Sequence, residues 1–332
     1  MKAPPIVTVT MTPAIDLSTP VERVVADRKL RCGLPVREPG GGGVNVARAV
    51  RRLGGEALAL FPAGGPAGDL LQELLLGEGV PHVAIRTEGW TRENVNVTER
   101  ETGKQFRFVL PGPSLSNAEW ERCLDALREL EPFPRLLVAS GSLPPGVPSD
   151  FYARLAQLAR SSGARMVLDT SGEPLRLAIE QGVFLLKPSL REFQELTETG
   201  AQGRSELLDR ARGLIRDGRC EILVLSLGAE GVLWVSATEA EWMQAPAVAV
   251  ASSVGAGDSM VAGIVLSLSR GKPVREAVRL GLAAATASVM TPGTALCRPE
   301  DVERLVAGIR SSGLDGPMDA NGSGESPRDL VR

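Results

Sequence analysis

The sequence has 332 residues, 43% of them hydrophobic, with a formal net charge of −3, one histidine and four cysteines. That size suits one large α/β unit with a substantial core, and the mild negative charge argues against a broad nucleic-acid or membrane-surface partner. The lone His82 argues against Ser-His-Asp hydrolysis and multi-histidine metal sites, and Cys32, Cys123, Cys220 and Cys297, without any Cys-x-x-Cys pair, against a disulfide framework or a zinc centre.

The start, Met1-Lys2-Ala3-Pro4-Pro5-Ile6-Val7, lacks the apolar core of a signal peptide, and no apolar run approaches the roughly 18 residues of a membrane span. A reducing cytoplasm is therefore expected. Along the chain, continuous apolar runs predict buried strands at 6–10, 57–61, 136–139, 166–169, 184–187 and 222–226. Helical patterns lie between them at 44–53, 69–76, 118–130, 150–161, 190–197 and 205–216, with small-residue helices at 257–269 and 274–290. His82, after Pro81 and before an apolar stretch, reads as a strand-edge residue. Such alternation predicts right-handed βαβ units around a mostly parallel sheet with helices on both faces. In such sheets ligands bind beyond the carboxyl ends of the strands.

Two stretches break the alternation. Residues 17–34 are polar and turn-rich, and 95–98 with 105–109 flank Glu101-Thr102-Gly103-Lys104 as a hairpin. Together they read either as a small β-flap over the ligand edge or as ordinary surface excursions. From Gly313 onward there is no apolar periodicity, and 313–332 is expected to be a disordered tail.

Candidate chemistry follows the strand exits. Asp16, after the first strand, can accept hydrogen bonds from two sugar hydroxyls. Lys29 and Arg31 sit in the first flap piece, and Arg92, in Trp90-Thr91-Arg92-Glu93-Asn94, lies beside the second; they would grip an anion or be solvated surface charges. Only Lys2, Lys29, Lys104, Lys187 and Lys272 are lysines among 37 basic residues. Pro39-Gly40-Gly41-Gly42-Gly43-Val44-Asn45 opens a helix, with backbone free to approach a ligand and an Asn45 amide at hand; it equally reads as a flexible turn with a capping asparagine. Ser140-Gly141-Ser142-Leu143-Pro144-Pro145-Gly146, Lys187-Pro188-Ser189 and Ser226-Leu227-Gly228-Ala229-Glu230-Gly231 are further polar or glycine-rich exits. The strongest segment is Ser252-Ser253-Val254-Gly255-Ala256-Gly257-Asp258-Ser259, after the apolar run 245–251. A strand, a glycine turn and a helix start make an anion site from free N–H groups and the helix dipole. Asp258 there is either a first-turn carboxylate, worth about 0.5–2 kcal/mol as a cap, or a base beside a phosphoryl group. A Gly-x-x-x-x-Gly-Lys-Ser/Thr loop is absent, which disfavours a Walker-type NTPase.

Taken in this order, over roughly residues 6 to 310, these segments resemble the ribokinase-like carbohydrate kinases of the phosphofructokinase-B group. The most specific motifs are Lys29-Leu30-Arg31-Cys32, Glu38-Pro39 with the four glycines and Asn45-Val46-Ala47-Arg48-Ala49, the Ser140–Gly146 turn, and Val254-Gly255-Ala256-Gly257-Asp258-Ser259-Met260. The resemblance implies a main unit of 1–16, 35–91 and 111–312 and a β lid of 17–34 and 92–110. It implies ATP-dependent, in-line phosphorylation of a sugar phosphate, fructose 6-phosphate to fructose 1,6-bisphosphate, with Asp258 as base and Gly255, Ala256 and Gly257 cradling the transferred group. Asp16, Gly40, Gly41, Asn45 and Ser142 would hold the sugar, and Arg92, Lys29 and Arg31 its phosphate. Lys187 and the turn Ser226, Leu227, Gly228, Ala229, Glu230 and Gly231 would contact ATP phosphates, with Leu282, Thr286 and Cys297 near adenine or ribose. It also implies magnesium, a monovalent cation, and a homodimer paired through the lid, with no nucleic-acid or membrane partner. One departure concerns the metal: the group has Asn-x-x-Glu after Lys-Pro, whereas here Ser189 replaces the asparagine and Glu192 remains, to act through water. Thr291 and Ala295 depart from polar residues in the monovalent-cation region. Competing readings are a tagatose 6-phosphate or fructose 1-phosphate kinase, a neutral-sugar or nucleoside kinase, which the cations disfavour, and a catalytically weak sugar-phosphate-binding regulatory protein.

Overall fold

The computed structural model describes residues 5–200, 203–293 and 295–312; the predicted tail lies outside them. In chain order the elements are β1 (Ile6–Val9), β2 (Ala14–Val21), β3 (Val36–Gly40), α1 (Gly42–Arg52), β4 (Ala57–Ala63), α2 (Gly65–Gly77), β5 (His82–Arg86), β6 (Arg92–Glu99), β7 (Gln105–Phe108) and α3 (Asn117–Arg128). There follow β8 (Leu136–Ser140), α4 (Phe151–Ser161), β9 (Arg165–Asp169), α5 (Gly172–Ile179), β10 (Val183–Leu186), α6 (Leu190–Thr197), α7 (Arg204–Arg216) and β11 (Cys220–Ser226). The last are β12 (Val232–Ser236), β13 (Ala240–Gln244), α8 (Ala256–Ser269), α9 (Val274–Val289), α10 (Pro299–Val306) and β14 (Arg310–Ser312).

Ten strands form one sheet in the order β14-β13-β12-β11-β10-β9-β8-β1-β4-β5. Every pair from β11 to β5 is parallel, and β12, β13 and β14 continue the β11 edge in antiparallel fashion. Both faces are covered, which is why the parallel strands read as unbroken apolar runs. The residues still alternate between two cores: Ala57, Ala59 and Phe61 pack with α1, α8 and α9 on one face, while Leu58 and Leu60 pack with α3 and α4 on the other.

A second sheet, β3-β2-β6-β7, stands beside the main one. It differs from the sequence reading in two places. Residues 14–21, read as mostly turn-rich, form a central strand, because Ile15, Leu17, Thr19 and Val21 alternate with polar residues and pair on both sides. Residues 36–40, placed with the main unit, form its edge strand through pairing with 14–18. The alternation also gives this sheet two unlike faces. Direct cross-strand partners share a face, so Glu38, Asp16 and Asn94, then Ser18, Asn96 and Arg107, form polar rows, while Leu17, Val95 and Phe108 lie on the reverse.

The apolar run 245–251 is not a strand. It follows β13 directly, its second residue, Pro246, has no N–H for a ladder, and residues 245–250 have no regular structure. β5 begins at His82, as its reading as a strand-edge residue anticipates, whereas the strands β12, β13 and β14 and the helices α5 and α10 have no counterpart in the sequence reading. They are short, or border turns that hide their periodicity.

Helix α8, which carries Asp258, is held down by close packing on α9. A Cβ at Gly263 would stand 2.8 Å from the Gly281 Cα and the Leu280 carbonyl oxygen, and one at Gly281 would stand 2.7 Å from the Met260 oxygen. At Gly263 backbone meets backbone, so no side chain can yield there; Gly281 also lies against the Ile264 side chain. Gly263→Val is expected to force the helices apart and cost about 1–3 kcal/mol or more, read as a lower midpoint in urea unfolding; an unchanged midpoint would contradict the close crossing.

Candidate active site

The site assembles where the exits of β1, β8, β9 and β10 meet the starts of α1 and α8. At α8, Gly255 caps the helix with φ 75°, a left-handed conformation that suits glycine. The first intrahelical bond runs from Ser259 N to Gly255 O at 2.8 Å. The amides of Ala256, Gly257 and Asp258 therefore lie outside the helix's own ladder, at its positive end. Beneath this turn, a Cβ at Gly257 would be 3.5 Å from Lys187 Nζ and 3.9 Å from Asp169 Oδ2. Lys187 is buried at the exit of β10, and its ammonium pairs with Asp169 Oδ1, at the exit of β9, across 3.1 Å. Burial works against that ammonium, but the carboxylates of Asp169, Glu192 and Asp258 outweigh it and hold its proton affinity above the ordinary lysine value.

Asp258 keeps a partial opening to the cleft. Its surroundings push its pKa up to about 7, first through burial and then through the negative charge of Asp169, with Asp16 adding to it. The Asn45 hydrogen bond and Lys187 oppose the rise; Asn45 Nδ2 donates to Asp258 Oδ2 at 3.0 Å. A carboxylate with its proton affinity near neutrality suits reversible proton transfer.

The glycine turn before α1 completes the floor. Gly40 lies against Asp16, where a Cβ would come within 2.5 Å of Oδ2; at Gly42 one would meet Ser140 Oγ at 2.3 Å. Gly41 has φ 106°. The turn thus requires glycine at successive positions, and the backbone lies open to a ligand. Asp16 is buried on β2 and accepts from Asn94 Nδ2 at 2.8 Å. Burial raises its proton affinity, against that bond and the charges of Arg107, Arg48 and Arg92. Arg92 donates to the carbonyls of Leu110 and Thr12, both at 3.1 Å, while its buried Nε has no partner. The Ser142 hydroxyl, at the β8 exit, lies 3.2 Å from that of Thr12.

The pattern of the pfkB family of carbohydrate kinases matches residues 6–301. This chain belongs to that family. It is 49% identical to the ATP-dependent 6-phosphofructokinase isozyme 2 of Mycobacterium tuberculosis (strain ATCC 25618 / H37Rv), over 91% of this chain and 89% of the relative. It is 39% identical to the enzyme of the same name from Escherichia coli (strain K12), over 91% and 98%. Solved structures of phosphofructokinase-2 from Escherichia coli, one in complex with fructose-6-phosphate (37% identity, TM-score 0.87) and one in complex with potassium (38%, 0.88), each cover 92% of this chain and 98% of their own.

Within this pfkB fold most of the sequence-predicted residues converge. Asp258, the Gly255–Gly257 turn, Asp16, Gly40, Gly41, Asn45, Arg92, Ser142 and Lys187 occupy neighbouring strand and helix ends. Ser226 joins them: its N–H and hydroxyl both donate to the Pro188 carbonyl, and after half-buried Leu227 an exposed 3-10 turn, Gly228–Glu230, is closed by buried Gly231. Others are not brought in. Lys29 and Arg31 are exposed in the β2–β3 connection, without an ion pair to the described residues. Leu282 and Cys297 are almost wholly enclosed in the core behind α8, and Thr286 turns its hydroxyl back to the Leu282 carbonyl, so none offers a free surface.

Glu192 and Ser189 form a reciprocal cap on α6: the Glu192 carboxylate accepts from Ser189 N at 2.8 Å, and the Ser189 hydroxyl from Glu192 N at 3.3 Å. Serine thus takes over the capping that an asparagine can also perform. Asp169, Arg48, Asn94 and Arg107 carry no site role in the sequence reading, although Arg48 lies in the Asn45–Ala49 motif and Asn94 in the segment of Arg92. Asp169 was legible as an acidic residue ending a predicted strand; Asn94 and Arg107 depend on a strand register that no short motif announces.

The donor set fits magnesium and a triphosphate. Lys187 faces the carboxylates of Asp169, Glu192 and Asp258, a surplus of negative charge that a hard, oxygen-seeking cation relieves. Among the described residues no three acidic, histidine or cysteine side chains are grouped to clasp an ion directly.

A carboxylate whose proton affinity rises on folding favours the fold below the ordinary carboxylate range. It loses that contribution as pH rises through about 7. Asp258→Asn removes the ionisable group and should raise the thermal midpoint by a few degrees at about pH 8 and by much less at about pH 5. Equal gains at both pH values would mean that Asp258 titrates as an ordinary carboxylate.

Proposed function

We propose that this chain is an ATP-dependent 6-phosphofructokinase, transferring the γ-phosphoryl group of ATP to the C1 hydroxyl of fructose 6-phosphate. The observation that carries the proposal is the placement of Asp258 at the start of α8: a carboxylate tuned toward neutrality, one helical turn from free backbone amides and above Lys187. The enzymes named for this reaction at 49% and 39% identity support the choice of sugar phosphate.

In this reading Asp258 takes the proton of the attacking hydroxyl, a contribution of about 10²–10⁴ in rate for a positioned base. The amides of Gly255–Gly257 and the Lys187 ammonium receive the negative charge that builds on the transferred group. Asp16 and Asn45 orient the sugar hydroxyls over the glycine turn. Arg92 and Arg107 supply the positive charge for the phosphate the sugar already carries. Asp169 and Glu192 would hold magnesium, which when bound would supply positive charge to the ATP phosphates. The β3-β2-β6-β7 sheet acts as a lid over the sugar and excludes water from the transfer. A monovalent cation is supported by the potassium complex of the relative from Escherichia coli. Thr291 is committed here to the carbonyls of Ser288 and Ala295.

Coupled ADP release, measured against fructose 6-phosphate, tagatose 6-phosphate, fructose 1-phosphate and ribose, tests the assignment. Fructose 6-phosphate should give the highest kcat/KM, with an acid limb near the Asp258 value of about 7 and activity rising with pH through it. Asp258→Asn should lower kcat by about 10² or more and leave ATP affinity within a few-fold. Arg92→Ala should raise the KM for the sugar phosphate far more than that for ATP. ATP binding without turnover on any of the sugars would favour a regulatory protein instead.

We also propose a homodimer through the small sheet. Its reverse face carries Leu17, Val95 and Phe108, with Phe108 and neighbouring Val109 more than half exposed. A second copy covers that apolar face. Sedimentation velocity should show a dimer at micromolar protein and a monomer for Phe108→Asp; a monomeric wild type would remove the proposal.

A further inference from the structure

Arg48 lies on α1, one turn after Asn45, and its side chain is wholly buried. A buried guanidinium is costly unless every N–H finds an acceptor. Here four of the five do, and the fifth faces a carboxylate at ion-pair distance. Nε and Nη2 form a fork on Glu78, at 2.8 and 2.6 Å, and Nη2 also faces Glu38 Oε1 at 3.6 Å. Nη1 donates to the Pro39 carbonyl at 2.7 Å and to Asn45 Oδ1 at 3.3 Å. Glu78 caps the end of α2 and is itself partly open to solvent. The network thus ties the rim of the molecule to the glycine turn and to Asn45.

The contact with Asn45 has a directional consequence. Guanidinium has donors and no acceptor, so only the amide oxygen of Asn45 can face it. The amide is planar, and its nitrogen must then point the other way, to Asp258 Oδ2 at 3.0 Å. Reversed, the amide would set its oxygen against the carboxylate and its N–H against Arg48, unfavourable on both sides. The structure assigns Arg48 as a positioning residue for phosphoryl transfer: through Asn45 it makes the contact with Asp258 a donated N–H, so that the carboxylate is presented ionised and ready to accept a proton. This inference rests on the kinase reading above.

The electrostatics agree in direction. The Asn45 hydrogen bond is among the influences that lower the proton affinity of Asp258, against burial, Asp169 and Asp16, and beside Lys187. Arg48 itself faces Glu78, Glu38 and, at longer range, Asp16. A change of charge at Arg48 would therefore confuse field with orientation. Arg48→Lys keeps the charge and removes the fork, because a single ammonium cannot serve Glu78, Pro39 and Asn45 together.

Steady-state kinetics of Arg48→Lys with fructose 6-phosphate and ATP across pH provides the test. The acid limb of kcat/KM should move to higher pH, kcat below that limb should fall about tenfold, and the KM for ATP should hold within about twofold. In an Asn45→Ala background the same substitution should add almost nothing, since Arg48 acts through the amide. An acid limb unmoved in a folded Arg48→Lys protein, or a loss that adds in full to that of Asn45→Ala, overturns the inference and leaves the kinase reading standing. Should Arg48→Lys fail to fold, Glu78→Gln keeps the guanidinium and loosens its fork; a shift in the same direction supports the inference, and no shift overturns it. A wild-type protein with no sugar-dependent ADP release would remove the kinase reading, and this inference with it.

Discussion

The arrangement of this molecule turns on one partly enclosed carboxylate. Asp258 sits at the amide-rich start of α8, surrounded by enough protein and by enough negative charge, from Asp169 and Asp16, to bring its proton affinity near neutrality. An isolated buried carboxylate would simply keep its proton. Here Asn45 and Lys187 pull the other way, and the group is poised between its two states. Each opposing influence comes from a different part of the chain: Asn45 from the start of α1, Lys187 from β10, Asp169 from β9, Asp16 from β2. The balance exists only while the parallel sheet holds those ends in register.

That register is set by packing away from the site. Alternate residues of β1, β4, β8 and β9 enter two separate cores, so a slip of one residue would exchange the faces of a whole strand. On one side the backbones of α8 and α9 meet at Gly263 and Gly281, which fixes the height of Asp258 above Lys187. On the other, a fully committed Arg48 fixes Asn45. The small sheet adds a third constraint through its two unlike faces: one carries Asp16, Asn94 and Arg107, and the other Leu17, Val95 and Phe108. The same period-two alternation that makes the sheet thus gives it one polar and one apolar face.

The residues that were legible early share one property: they belong to short segments whose chemistry is local. A glycine turn at a helix start, with Asp258 in the first turn, announces an anion site by itself, and the Gly40–Gly43 run announces a close backbone approach. Asp169 was readable from its place at a strand exit and was passed over because no local motif surrounds it. Arg48 belongs to the Asn45–Ala49 motif, yet its role shows only in its burial against Glu78, thirty residues on. In the opposite direction, Leu282 and Cys297 suited a nucleotide pocket by resemblance, yet they are enclosed in the core.

Sequence alone determined the alternating α/β architecture, the buried parallel strands and the two glycine-bearing turns, because hydrophobic period and glycine's conformational freedom act over a few residues. It also determined the kinship with the carbohydrate kinases, through the order of those motifs. Tertiary structure decided which strand exits share a cleft, which way the Asn45 amide faces, which face of the small sheet carries Arg107, and how strongly Asp258 holds its proton. Those properties arise from desolvation and from polar and charged groups brought together across more than two hundred residues of chain, and neither exists until the chain has folded.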